Sequence, residues 1–190
     1  MRVQRILVLI ALFVAALAAS AQGYPTKPIR FVVGFPPGGG NDIVARMVGA
    51  KMQEAWGQPV VIDNKPGANS IIAAEYVAKS TPDGYTLLVN ATGGMSVNPV
   101  LYSKLPYDSL RDFVSISMIG TFAPADTPGE IAAQLSTEMA RIVRLPDVRE
   151  KLAALGIQPV GNTSEQFAGM IRNEIARFGP VVKAGNIKAE

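Results

Sequence analysis

The first half of this chain repeats one unit: a short apolar run, a cluster of turn formers, then a stretch with apolar residues at helical spacing. Residues 29–34, Ile-Arg-Phe-Val-Val-Gly, are of strand type, and Pro36-Pro-Gly-Gly-Gly40 stops them. Asn41 is placed to cap a helix, with Asp42 in its first turn. Ile43, Val44, Met47, Val48, Met52 and Ala55 then recur at helical spacing, and Gly57 fits the stop. Residues 59–63 read as a second strand, Lys65-Pro66-Gly67 as a turn, and residues 71–79 as a helix ended by Pro82-Asp83-Gly84. Residues 85–89 are a third strand. Strands joined through helices imply an α/β fold: a parallel sheet with flanking helices and right-handed crossovers.

Beyond residue 90 the rhythm changes. Residues 90–106 are rich in Gly, Asn, Ser and Pro, and residues 113–119 form the next strand candidate. Thr127-Pro-Gly-Glu130 is a capping-box pattern with Pro at the first helical position, ahead of Ile131, Leu135, Met139 and Ile142. Pro146 opens a helix carrying Val148, Leu152 and Leu155, closed by Gly156. Thr163-Ser-Glu-Gln166 is a second box, ahead of Phe167, Met170, Ile171, Ile175 and Phe178. The carboxy-terminal third is therefore expected to be helical.

A length of 190 residues allows one domain, or one plus a fragment. With 48% hydrophobic and 17% charged residues the chain can bury a core. It has no Cys and no His, which excludes disulfides, thiolate or imidazole metal sites, a Cys nucleophile and a Ser-His-Asp triad. No G-x-S-x-G elbow occurs, and Asp63, Asp83, Asp108 and Asp112 lie near turns, where Asp is common for backbone reasons. No catalytic set, metal or cofactor is expected.

Met1 to Arg5 is short and basic, residues 6–19 are apolar, and Ala19-Ser20-Ala21 supplies small residues at −3 and −1 of a cleavage point. This is the pattern of a secretory signal peptide, residues 1–21, too short to span a membrane. Its removal takes Arg2 and Arg5, leaving 16 basic against 15 acidic residues from the original 18 and 15. Without a Lys/Arg cluster, nucleic acid is a poor partner. The expected location is the periplasm, with no membrane anchor after cleavage.

Three loops are the candidate sites. Phe35-Pro-Pro-Gly-Gly-Gly-Asn-Asp42 lies between a strand and a helix, where Gly-freed N–H groups and the helix start together attract a carboxylate or phosphate without Lys or Arg. It lacks the Gly-Lys-Ser/Thr of a Walker loop and the G-x-G-x-x-G of a dinucleotide fold. A plain Gly-rich turn, with Asn41 and Asp42 acting only as caps, accounts for the same residues. Asn90-Ala-Thr-Gly-Gly-Met-Ser96 follows the third strand, and Gly67-Ala-Asn-Ser70 the second. Ligands of open parallel sheets lie beyond such carboxyl ends. For Thr92, Ser96, Asn69 and Ser70 the alternative is a helix cap or turn.

Tyr24-Pro-Thr-Lys-Pro-Ile-Arg30 with Phe35-Pro-Pro-Gly-Gly-Gly-Asn-Asp42 resembles the start of the tripartite tricarboxylate transporter receptors, the Bug-type (TctC-like) solute-binding proteins. The resemblance continues through residues 61–68, 74–78, 82–88, Asn98-Pro99, Leu101-Tyr102, Asp112-Phe113 to Ile119-Gly120, Phe122-Ala-Pro-Ala125, and from Leu152 onward. It implies one domain of a type II periplasmic-binding-protein-like architecture that captures small carboxylates for a transporter's membrane subunits. It implies Phe35, Gly38, Gly39, Asn41, Asp42, Thr92 and Gly93 as ligand-binding residues. Asn69 and Ser70 replace a small-residue pair of relatives and join the same wall.

The resemblance also implies that a second domain, on the order of 100–150 residues, is absent between residues 121 and 122. Residues 22–121 and 122–190 then form one domain, and a tight link at Gly120-Thr121 joins two hinge strands. With one wall of the cleft, binding is expected to be millimolar or weaker. A micromolar ligand needs about −8 kcal/mol, and a helix terminus supplies ~0.3–2 kcal/mol. A non-binding remnant or scaffold is the alternative, and a secreted enzyme a remoter one.

Overall fold

The computed structural model describes residues 23–158, 162–187 and 189; the signal peptide expected over residues 1–21 lies outside them. The three strands read from the apolar runs are β1 (Ile29–Val33), β2 (Val60–Asn64) and β3 (Thr86–Val89). They are parallel, with Val33 opposite Asn64 on one side and Val89 on the other. Two more strands, β4 (Phe113–Ser117) and β5 (Thr121–Pro124), complete a five-stranded sheet of order β2-β1-β3-β5-β4.

β5 is antiparallel to both of its neighbours, so the sheet is mixed rather than wholly parallel. The reason is the length of the link. Only residues 118–120 separate β4 from β5, and a connection that short returns the chain antiparallel; a parallel return needs a crossover of a dozen residues or more. Gly120 makes the turn at φ +83, and a Cβ there would lie 1.9 Å from the carbonyl oxygen of Asn90. Two strands thus flank the link, residues 118–120, and Thr121 is already the first residue of β5.

Strand alternation divides the apolar residues between two cores. Phe31, Val33, Leu87 and Val89 meet Val44, Val48 and Met52 of α1 (Gly40–Trp56) on one face. On the same face lie Leu135, Met139 and Ile142 of α5 (Gly129–Ile142), with Val148 and Leu152 of α6 (Pro146–Ala154). Val32 and Leu88 point the other way, onto Ala73, Ala74 and Val77 of α2 (Ile71–Ala78). α7 (Ser164–Ala184) closes that second face with Phe167 and Ile171. The Phe122 and Phe167 rings lie 5.0 Å apart, both fully buried, and each such side chain contributes roughly 1.5–3 kcal/mol. The carboxy-terminal helices therefore pack back on the sheet, α5 and α6 on one face and α7 on the other.

Several local expectations shift. α1 begins at Gly40 with Gly39 as its N-cap and no side-chain cap, so Asn41 sits inside the first turn instead of capping it. The Thr127 box does not form. Its hydroxyl donates to Pro124 O at 2.8 Å, inside the turn that leaves β5, and α5 starts one position later with Pro128 as its N-cap. The Thr163 box is complete: Gln166 N–H reaches the Thr163 hydroxyl at 3.2 Å, and Thr163 N–H reaches the Gln166 side chain at 3.0 Å. Within residues 90–106, rich in Gly, Asn, Ser and Pro, two short helices appear, α3 (Thr92–Ser96) and α4 (Asn98–Leu101).

Candidate functional site

β1 runs into α1, which packs on the first core, whereas β3 runs into α3, whose Met95 belongs to the second. Neighbouring strands whose continuations part to opposite faces leave a crevice beyond their carboxyl ends, the usual ligand position of open α/β sheets. Here that position lies beyond Gly34, which follows β1, and Asn90, which follows β3; Gly34 N–H still joins the two strands there, bonding Val89 O at 3.3 Å. The loop after β2 reaches the same place. Ser70 is so close that a Cβ on Gly34 would lie 1.8 Å from its hydroxyl.

The loop from Gly34 to Gly39 is held from behind. Asp42, with a side chain only 3% exposed, accepts Gly38 N–H and Arg46 Nε at 2.9 Å on one oxygen. Its other oxygen accepts Asn64 Nδ2 at 2.9 Å, and the same amide reaches Phe35 O at 3.1 Å. The Arg46 guanidinium, helped by the Gly38 amide and Asn64, outweighs burial and holds the carboxyl well below its usual range, at about 2. Asp42 thus holds the loop in place, with both of its oxygens engaged.

Gly38 and Gly39 shape the loop but their N–H groups are engaged, with Asp42 and with Pro36 O at 3.3 Å respectively. Gly38 holds φ +80, a conformation few side chains accept. The first intrahelical bond is Ile43 N–H to Gly39 O. The N–H groups of Gly40, Asn41 and Asp42 therefore lie ahead of it and form the positive end of a 17-residue helix. A Cβ on Gly38, Gly40 or Gly93 would meet nothing within 4 Å, so this rim is open. Phe35 is half-buried and packs on the first core.

On the β3 side, Thr92 is the first residue of α3 and caps nothing with its side chain; its carbonyl accepts the Ser96 hydroxyl at 3.1 Å. Ser70 likewise precedes α2 without a side-chain cap bond. Asn69 donates to Asn98 Oδ1 at 2.6 Å, and Asn98 Nδ2 donates to Asn69 O and to the Tyr107 hydroxyl at 3.1 and 3.2 Å. Burial pushes the Tyr107 hydroxyl up, so it stays protonated and donates to Gly94 O at 3.0 Å. This network ties the loop after β2 to α3 and α4.

Of the residues picked from sequence, the structure brings the 35–42, 69–70 and 92–93 sets to one sheet edge. It adds Gly40, whose N–H is free, and Asn64, which ends β2 and braces the loop. Asn90 opens the 90–96 candidate loop but is not among the ligand-binding residues that the resemblance implies. Among the described residues there is no group of His, Cys, Asp and Glu that could hold a metal ion, and no helix long and apolar enough to cross a membrane.

The model of the tripartite tricarboxylate transporter family receptor matches residues 44–119 and 111–187. The chain belongs to this receptor family. BugT of Bordetella pertussis is 41% identical over 125 residues, 63% of this chain and 38% of that protein. The chain spans about two fifths of the length of the curated relatives it matches, 38% to 40% for three of them. Among solved structures, an R. palustris protein with adipate superposes with a TM-score of 0.81 at 20% identity, covering 87% of this chain and 99% of that one. MatC from Rhodopseudomonas palustris with bound malate superposes at 0.80 and 20% identity, covering 84% and 100%. The shared fold is that of a periplasmic binding protein, and receptors of this family bind substrates rather than transform them.

Proposed function

We propose that this chain binds small carboxylates in the crevice between β1 and β3, as one half of a periplasmic receptor that serves a tripartite tricarboxylate transporter. The observation that carries the reading is the edge itself. The N–H groups of Gly40, Asn41 and Asp42 make no bond and form the start of α1, at the sheet edge where the loops after β1, β2 and β3 lie. The family, and the adipate and malate in the two structural neighbours, support a carboxylate as solute.

We also propose that a second, opposing domain is absent at the β4–β5 turn. The family model matches this chain in two pieces that overlap at residues 111–119, which span β4 and enter that turn, and the matched stretch is about two fifths of the relatives' length. A lone wall excludes little water, so the attraction is screened and the affinity stays near millimolar. Calorimetric titration of the purified chain with adipate, malate and succinate tests the reading. Millimolar binding of these acids, with no response to a neutral diol of the same length, supports it. No heat at roughly 50 mM acid, about −2 kcal/mol of binding or less, favours a non-binding scaffold.

A further inference from the structure

The polar side chains around the crevice are of two kinds. Asn69, Asn98 and Tyr107 bond one another and Gly94. Ser70 and Asn90 are each 1% exposed, and neither the Ser70 hydroxyl nor either end of the Asn90 amide has a partner. Thr121 shares that lack, but it alternates with Phe122 and so faces the other core. Ser70 and Asn90 are on the same face. Asn90 continues β3 past Leu88 and Val89, on the side of Leu88, and Gly34 continues β1 on the side of Val32. Ser70 fills the space a Gly34 side chain would take, and Asn90 lies against Gly94, where a Cβ would come 2.6 Å from Nδ2 and 2.8 Å from Oδ1.

We propose that Asn90, assisted by Ser70, selects among small carboxylates those carrying a hydroxyl or amino group beside the carboxylate. This rests on the carboxylate-binding reading above. A bare dicarboxylate offers acceptors only, so it satisfies Nδ2 and leaves Oδ1 unpaired. A neighbouring hydroxyl or ammonium donates to Oδ1, and the Ser70 hydroxyl can either give or take the remaining bond. A buried amide with no partner is costly to keep, and here it stands beside a network whose members are all paired. The side chain reaches the crevice by rotating out from beneath Gly94, and the hydrogen bonds it then makes favour the rotation. A site built to bond a hydroxyl discriminates against the analogue lacking it far more strongly than an apolar pocket does.

The test compares malate with succinate, and aspartate with succinate, by amide chemical-shift titration of the full chain and of N90L and G94A. The original chain is expected to favour the hydroxy and amino acids by about tenfold or more. In N90L, where Leu fills the slot without polar atoms, the melting temperature is expected to hold or rise while the preference falls to about one. In G94A a Cβ displaces the amide from its slot toward the crevice, and the preference is expected to persist or grow. Equal binding of malate and succinate by the original chain, a preference that survives N90L, or its loss in G94A would each overturn the proposal. If N90L does not fold, G94A decides. Binding of both acids without discrimination sinks this inference alone, whereas binding of neither sinks the carboxylate reading with it.

Discussion

The Asp42 carboxylate accepts the Gly38 amide at 2.9 Å, so the acid in the first turn of α1 holds the loop ahead of it. That relationship settles why an acidic residue stands at the mouth of a site read as anion-binding. Its charge is neutralised by Arg46 and by N–H donors, and the helix end stays positive toward solvent.

Replacing Asp42 with Ala leaves the Gly38 amide, Arg46 and Asn64 without their acceptor. Because hydrogen bonds to charged groups contribute about 1.5–3 kcal/mol, the variant should lose about 2–3 kcal/mol in urea unfolding and should also bind malate more weakly.

Asp42 carries a pH signature as well. Its folded pKa lies near 2, below the ordinary 3.8. The unfolded chain therefore takes up this proton first as pH falls, so the contribution to stability is complete above about pH 4 and lost as pH drops through 2. Unfolding followed from pH 7 to 2 should show this contribution flat to about 4, then falling. In Asp42→Ala the part of the acid-side fall owed to this group should be missing.

Gly120 is expected to tolerate no side chain. At φ +83 a Cβ is strained, and it would also press on the Asn90 carbonyl at 1.9 Å. Gly120→Ala should cost more than about 2 kcal/mol in chemical denaturation, the αL penalty alone being about 1–2 kcal/mol. Gly129→Ala, where a Cβ meets nothing within 4 Å, serves as the neutral comparison.

The two capping boxes should separate cleanly. Thr163→Ala removes a cap that the structure contains and should cost about 1 kcal/mol. Phe167, four residues on, is fully buried against Phe122, and Phe167→Ala should cost about 3–5 kcal/mol, read as an earlier urea midpoint. A small effect there would mean that α7 does not complete the second core.

These boxes also mark what the sequence could convey. Both had the same residue pattern, but Thr127 lies in the turn leaving β5, where Pro124 O takes its hydroxyl. That choice depends on where β5 ends, which no local pattern encodes. The first three strands were legible because apolar runs stopped at Gly and Pro. α3 and α4 were not, because Gly93-Gly94 and Pro99 read as breakers; tertiary contacts hold them, through buried Met95 and the Asn98 bonds to Asn69 and Tyr107. The antiparallel return of β5 followed from a three-residue link rather than from any propensity. Residues 34–39 do join a strand to a helix, as the Gly-Pro pattern indicates. Which amides remain free could not be foreseen, because Asp42 takes the Gly38 N–H through a side-chain bond. Asn90 was hidden for a similar reason: its significance lies in having no partner, which only the packed structure reveals.

The central claim, a carboxylate seated between the ends of β1 and β3, is tested most directly by a crystal of the chain soaked in malate well above its dissociation constant. The account predicts density for the acid within hydrogen-bonding distance of the Gly40 and Asn41 amides and beside Asn90. Malate bound at another surface, with those amides still facing solvent, would contradict it.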